Sequence, residues 1–568
     1  MKKIIKKKRK CFPENFKIDK WENLEIELKK LEGKKINSAN SLEEFIKENT
    51  EFGNILSETM AKKYIAMTCN ANNPKYSEEF NKFYAEIVSK VEPYSFRLKN
   101  KITGNRYFDE IDSEKYSHLK KLLKNEIELF REENIPLFIK EQELSNKYGE
   151  YFSELTVDFD GKKQTLTQMA RYNKNSNREL REKAWRLVSK RLEESKDDFE
   201  KLFDELKDIR IEIAKNAGFD NYRDYMHEVK GRFSYTVEDI FEFHNSVKET
   251  VLPILEKIHK DRSKKLKLEK LRPWDMLVDL DGKILKPFET SEELINKSIN
   301  VLNKIDEDFG EKLELMKNSK LLDLENREGK APGGYNYPLN ETGAAFIFMN
   351  SIGLHSDVTT LLHESGHAMH SFATANIEIG EYAETPSEIA ELASMSMELI
   401  TLDYLNEYYQ DAEDVKKAKK EQLERTLDIL PWVMIVDKFQ QWIYTNPVHT
   451  VDERDQYFDS LMEEFSAGTD WKGLENYRKI AWLKQLHIFE VPFYYIEYSI
   501  SQLGAIAIYK NYKENKEKTI KEYKEFLKLG YSKDMKTVYE TAGIKFDFSK
   551  QYIKELVEFI KKELDELQ

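Results

Sequence analysis

The sequence predicts a mainly α-helical protein with one small β element, and three observations lead there. Lys, Glu, Leu and Ile dominate, and together they favour helix. Gly (21) and Pro (13) are sparse in 568 residues, which excludes collagen-like and linker-dominated architectures. Apolar residues recur at three- and four-residue steps along much of the chain, and a single region, residues 321–353, departs from that texture.

The chain opens on a basic run, MKKIIKKKRK (Met1 to Lys10). The polar segment after it is broken by Pro13 and supplies no apolar signal-peptide core, so the run reads as a solvated tail. Ser41 to Ile46 reads as a helix start, with Ser41 as N-cap and Glu44 at the capping-box position. Val157 to Gln168 carries Asp-Gly between polar residues and reads as a turn or hairpin. A soft boundary near it separates an N-terminal helical region, 1–170, from the remainder, 171–568. Ser176 to Ala217 is dense in helix formers with apolar residues at helical steps, and Gly218 supplies a stop. Residues 321–353 combine several glycines with the apolar run Ala344 to Met349 and read as two short strands joined by turns. Within them Gly329 to Tyr337 reads as a mobile loop. Phe346 to Asn350 reads as an edge strand able to pair with an extended peptide backbone. The helical pattern then continues to Gln568.

Charge and cysteine usage narrow the function classes. Lys+Arg minus Asp+Glu is 91 − 104 = −13, which disfavours nucleic acid as a bulk partner. The aromatic share, 12%, supplies core material that disordered chains lack. No run of about 18 apolar residues is present, so no membrane span is expected. Cys11 and Cys69 make no disulfide framework and fit reduced thiols in a cytoplasmic protein.

The sharpest chemical signal is His363-Glu364-Ser365-Gly366-His367, an H-E-x-x-H pattern. On a helix, residues i and i+4 share a face, so two imidazoles can grip one Zn²⁺ while the intervening glutamate acts as general base. Val358, Leu361, Leu362, Met369 and Phe372 place the motif on a buried amphipathic helix. A catalytic zinc takes a third protein ligand. Ala383 to Ile400 offers Glu384, Glu388, Glu391 and Glu398 on a helix that Thr385 or Ser387 can cap. The apolar neighbours of Glu391 favour it, because buried carboxylates need a partner; Glu384 and Glu388 stay open as alternatives. Farther on, His487 is followed by Tyr494, Tyr495 and Tyr498. Tyr495 and Tyr498 stand three apart, on one helical face. Imidazole and phenol are donors suited to a developing oxyanion, while the competing reading is an aromatic stripe in a helical core.

HESGHAMHSF (His363 to Phe372) and AELASMSMEL (Ala390 to Leu399) together resemble the thimet oligopeptidase and oligoendopeptidase F family of zinc metallopeptidases. DLENREGKAPGGY (Asp323 to Tyr335), FIFMN (Phe346 to Asn350) and HIFEVPFYYIEYSISQLGA (His487 to Ala505) resemble its oligoendopeptidase F-like branch. The resemblance implies a large multi-helix metallopeptidase with a small β-sheet near the active site and a deep substrate channel, formed by residues 171–568. It implies one Zn²⁺ per chain on His363, His367 and Glu391; the last stands 391 − 367 = 24 residues after the second histidine, as in the family. Glu398 is then expected to orient an imidazole. Glu364, His487, Tyr495 and Tyr498 become the catalytic residues, with the division of labour between Tyr494 and Tyr495 open. The implied reaction is endopeptidase cleavage of short unstructured oligopeptides by attack of a zinc-bound water activated by Glu364. His370 is expected to pack behind the ligands, His355 to line the cleft, and His449 to sit in a loop. An inactive helical binding protein, an aminopeptidase or a helical scaffold are the alternatives; the scaffold alone would hold no stoichiometric zinc.

Overall fold

Helix-capping chemistry sets the elements of this computed structural model, which describes residues 4, 6–280 and 282–567, without the side chain of Ser113. The first long helix, Ala39–Cys69, is capped by Ser38, and Ser41 closes the capping box. The cap therefore stands three residues before the expected Ser41: Ser38 receives the Ser41 N–H at 3.1 Å, and the Ser41 hydroxyl returns to the Ser38 N–H at 2.9 Å. Helices dominate the rest of the chain. Among the described residues no helix is long and apolar enough to cross a membrane.

The chain divides into two units. The first comprises residues 1–128, 285–419 and 501–546. Its sheet has three strands, β3 (Leu322–Glu325), β4 (Tyr335–Leu339) and β5 (Ala344–Ser351), in the order β3-β5-β4. β5 runs parallel to β3 and antiparallel to β4. Two strands were expected and three are present. Phe346 to Asn350 lies on the central strand, so it has no free edge to offer a peptide. The reason is burial: every β5 residue except Asn350 is buried, the continuous apolar run of a strand covered on both faces. Pro338, which lacks the N–H a central strand needs, sits on edge strand β4. The helix His355–Thr374 packs on β4 and β5, and Ser387–Ile400 packs on that helix.

The glycine-rich segment between β3 and β4 is tied down, contrary to the expected mobile loop. The Lys330 side chain is fully buried and donates to Asp323 O, Asp323 Oδ1 and Glu325 O, each at 2.9 Å. Asn350 donates to Ala331 O and Gly333 O, both at 2.9 Å. The basic start is docked as well. Lys6 and Arg9 pair with Glu341, and Glu51 accepts the backbone N–H groups of Lys10, Cys11 and Phe12. Residues 1–3 and 5 of that run lie outside the described residues.

The second unit comprises residues 129–284, 420–500 and 547–568. It holds the expected hairpin, β1 (Thr156–Phe159) and β2 (Lys162–Thr165), with Asp160 and Gly161 both at positive φ (55° and 70°). That pair of left-handed residues matches the twist of the flanking strands. Ser176 to Ala217 is not one helix but two, Arg178–Glu194 and Lys196–Asn216, broken at Ser195; Gly218 (φ 90°) ends the second as expected. Periodicity misses the break because both helices keep the same apolar step.

A buried ion cluster ties the second unit together. Asp275 is fully buried and accepts from Arg178 Nη2 at 2.8 Å, Arg181 Nη2 at 2.9 Å and the Arg272 N–H at 3.0 Å. Burial pushes its carboxyl up, but these donors outweigh burial and hold it below the usual carboxylate range. Asp275→Asn strands the buried Arg181 cation, and the expected loss is about 3–5 kcal/mol. Because the folded pKa lies below the unfolded one, the carboxylate's contribution is present above about pH 4 and fades as pH falls through the folded value. Urea unfolding of both proteins should therefore show a large gap at pH 6 that narrows steadily below pH 4.

Candidate metal centre and active-site residues

The helix carrying the H-E-x-x-H pattern begins where Asp357 accepts the N–H groups of Ile352 (2.8 Å) and Leu354 (2.9 Å). The second helix starts after Pro386, whose extended backbone precedes Ser387; neither Thr385 nor Ser387 caps it with a side chain. The two helices meet at Gly366. A Cβ there would lie 2.6 Å from Ser394 Cα and 2.7 Å from Ala393 O, so nothing larger than glycine permits this approach. Tyr523 holds the same turn from another side by donating to Ala393 O at 2.7 Å.

This crossing brings His363, His367 and Glu391 together, with one ligand atom from each lying within 4.8 Å of the others. Glu391 Oε2 stands 3.3 Å from His363 Nε2 and 3.8 Å from His367 Nε2. Glu398 Oε1 lies 2.6 Å from His363 Nδ1, so it accepts a hydrogen bond from Nδ1–H and leaves Nε2 for a metal. The Ser394 hydroxyl donates to Glu391 Oε2 at 3.0 Å. Asn336 on β4 donates to Glu364 O at 3.1 Å and fixes the sheet to the motif helix.

The electrostatics follow from burial and from the carboxylates. Burial lowers the His363 pKa, but hydrogen bonds to Glu391 and Glu398 reverse this and raise it well above the ordinary histidine value. Glu391 is held down to about 2: burial opposes this, and His363 and His367 overcome it. His367 falls to about 4, chiefly through burial. A cation at this group would compete with protons for the imidazole nitrogens and the Glu391 carboxylate. Glu364 is buried, its Oε2 has no hydrogen-bond partner among the described residues, and burial pushes its pKa up to about 7. Two imidazoles and a carboxylate, with a second buried carboxylate beside them, are a donor set that fits a divalent cation.

Of the other candidate carboxylates, Glu384 is exposed and Glu388 is buried; neither belongs to the metal-ligating group. His370 is buried behind the ligands, its ring 6.3 Å from Phe526. His355 bonds the Tyr409 hydroxyl at 2.8 Å. His449, in the loop after Pro447, bonds Asn446 O.

His487 and the tyrosines belong to the second unit. His487 lies in the short helix Leu486–Glu490, and the next helix starts at Ile496, so Tyr494 and Tyr495 occupy a turn. Tyr495 therefore stands just before the helix that carries Tyr498 rather than within it, and the two rings lie 5.6 Å apart. Phe493, at φ 60°, makes the reversal; its N–H is held by Gln440 Oε1 at 3.0 Å and its carbonyl by Arg232. The rings of Tyr494, Tyr495 and Tyr498 lie 5.9, 4.6 and 6.0 Å from that of His487. Burial lowers the His487 pKa to about 4 and raises that of Tyr495, so both are neutral donors near pH 7. Gln485 joins Trp432 Nε1 (2.8 Å) to His487 Nδ1 (2.7 Å). Sequence reasoning missed Gln485 and Ser394, although Ser394 stands at the i+3 position from Glu391.

The profile of Peptidase family M3 matches residues 171–558, and that of the Peptidase M3 N-terminal domain matches 13–130. The chain belongs to peptidase family M3. An oligoendopeptidase F homolog of Borreliella burgdorferi is 30% identical over 302 residues, 50% of this chain and 48% of that protein. The match thus spans about half of that relative's length. An oligoendopeptidase F homolog of Lactococcus lactis subsp. lactis is 23% identical over 559 residues, 90% of this chain and 88% of that protein. A solved structure of PZ peptidase A with an inhibitor superposes with a TM-score of 0.88 at 25% identity, covering 97% of this chain and 99% of that one. The mainly helical fold with small sheets is therefore an M3 fold.

Gly366→Ala tests whether the helix crossing builds the metal group. The added methyl meets backbone, which cannot swing aside, and an overpacking cost of about 1–3 kcal/mol is expected. Thermal unfolding should show a lowered midpoint, and metal analysis should show reduced binding.

Proposed function

We propose that this M3 chain is a zinc-dependent endopeptidase that cleaves internal bonds of short unstructured oligopeptides. The observation that carries this reading is the His363–His367–Glu391 group beside buried Glu364, whose Oε2 has no hydrogen-bond partner among the described residues. Two imidazoles and a carboxylate suit zinc best among common divalent cations. When bound, the zinc polarises water and the scissile carbonyl. Glu364 takes the proton of the attacking water and passes it to the leaving amine, a task its raised pKa suits. Glu398 holds the ring of His363. His487, Tyr495 and Tyr498 donate to the developing oxyanion; their support is the clustering of three donors and the neutral state of His487. Residues 171–568 form the catalytic domain, with a deep channel that admits flexible peptides, and residues 1–170 an N-terminal helical region. The two free cysteines support a cytoplasmic setting.

An internally quenched peptide tests the chemistry. Glu364→Gln should lower kcat by at least about 10²–10⁴-fold while zinc content and melting point stay at wild-type values. A chelator should abolish cleavage and added zinc restore it; cleavage by Glu364→Gln at the wild-type rate would refute the general-base role. Tyr498→Phe separates the oxyanion assignment from binding: kcat should fall by about 10²–10³-fold with KM little changed. An unchanged kcat would leave Tyr498 as a packing residue.

A further inference from the structure

Ser394 stands where the two ligand-bearing helices cross. It is fully buried, its Cα faces Gly366, and the preceding carbonyl is held by Tyr523. The backbone that launches its hydroxyl is therefore fixed from two sides. Its Oγ lies 3.0 Å from Glu391 Oε2, the same oxygen that approaches both imidazoles at 3.3 and 3.8 Å. A glutamate side chain has three rotatable torsions, and each samples several wells unless something holds the carboxylate. His363 is itself held by Glu398; among the described contacts, Ser394 is the neutral donor to Glu391.

We infer that Ser394 is a positioning residue for the metal: its hydroxyl keeps Glu391 Oε2 turned toward His363 and His367 and thereby sets cation affinity. This rests on the reading that these three residues hold zinc. The competing role is local. Ser394 Oγ also lies 3.1 Å from Glu391 O, the familiar back-bond of a helical serine to its own backbone, and one hydroxyl carries one proton. A serine spent on the backbone would leave metal affinity untouched.

A double-mutant cycle on the full-length protein separates the two roles. The zinc dissociation constant is measured by competition with a chromophoric chelator for wild type, Ser394→Ala, Glu391→Ala and the double variant. Ser394→Ala should weaken zinc binding by about 10–100-fold in the wild-type background. In the Glu391→Ala background it should change affinity by less than about twofold, since the group it acts through is gone. The metal-free melting point should not move with Ser394→Ala. Equal losses in both backgrounds, or no loss in either, overturn the positioning role. If Ser394→Ala does not fold, Ser394→Cys, of similar shape with a weaker donor, enters the same cycle under the same criteria. Wild-type protein that binds no stoichiometric zinc overturns the zinc reading itself, whereas wild type that binds zinc as tightly as Ser394→Ala overturns this inference alone.

Discussion

The close crossing of two helices at Gly366 is the constraint on which the candidate site depends. Two histidines one turn apart define half a metal site at best; a third ligand must come from another element at bonding range. Side chains of ordinary size hold helix axes about 8–10 Å apart. Glycine at position 366 removes the Cβ that would meet Ser394 Cα and Ala393 O, and this brings Glu391 to the imidazoles. The same contact buries Glu364, Glu391 and Ser394 together; burial raises the proton affinity of Glu364, while His363 and His367 lower that of Glu391 against the effect of burial.

The neighbouring parts of the first unit read as reinforcement of that crossing. Asn336 ties β4 to the motif helix, and Lys330 and Asn350 lock the glycine-rich segment onto the strands. Lys330 is a buried cation, tolerable because three backbone carbonyls and Asp323 surround it. In the second unit Arg210 does comparable work for the His487 segment. It is fully buried and donates to the carbonyls of Ile488 and Phe489, immediately after His487, while Gln440 and Arg232 hold Phe493 in its left-handed conformation. Each candidate group thus stands, within its own unit, on backbone held by buried polar side chains, which suits chemistry that needs fixed donors.

Where residue patterns and structure part company, the causes are particular. Ser41 has the composition of an N-cap, yet Ser38 takes that place, because Ser41 serves as the reciprocal half of the box. Phe346 to Asn350 has the look of any short strand, and only its neighbours β3 and β4 make it central. The lysines and arginine at the start of the chain have the composition of a solvated tail, but Glu341 and Glu51, far off in sequence or on another helix, give them partners. Tyr495 has the spacing of a helical residue relative to Tyr498, but the helix begins only at Ile496, after the Phe493 reversal.

What the sequence by itself determined was local: helix content, the Asp160-Gly161 hairpin, and the pairing of His363 with His367 around Glu364. These follow from backbone preference and from a period of about 3.6 residues, which any window of the chain contains. The choice of Glu391 over Glu384 and Glu388 came into view through family resemblance, and its physical basis is tertiary. Glu391, and neither of the others, belongs to the group of ligand atoms lying within 4.8 Å of one another. Whether a carboxylate is a solvated charge, a ligand or a proton carrier depends on what surrounds it, and here helices distant in sequence supply those surroundings.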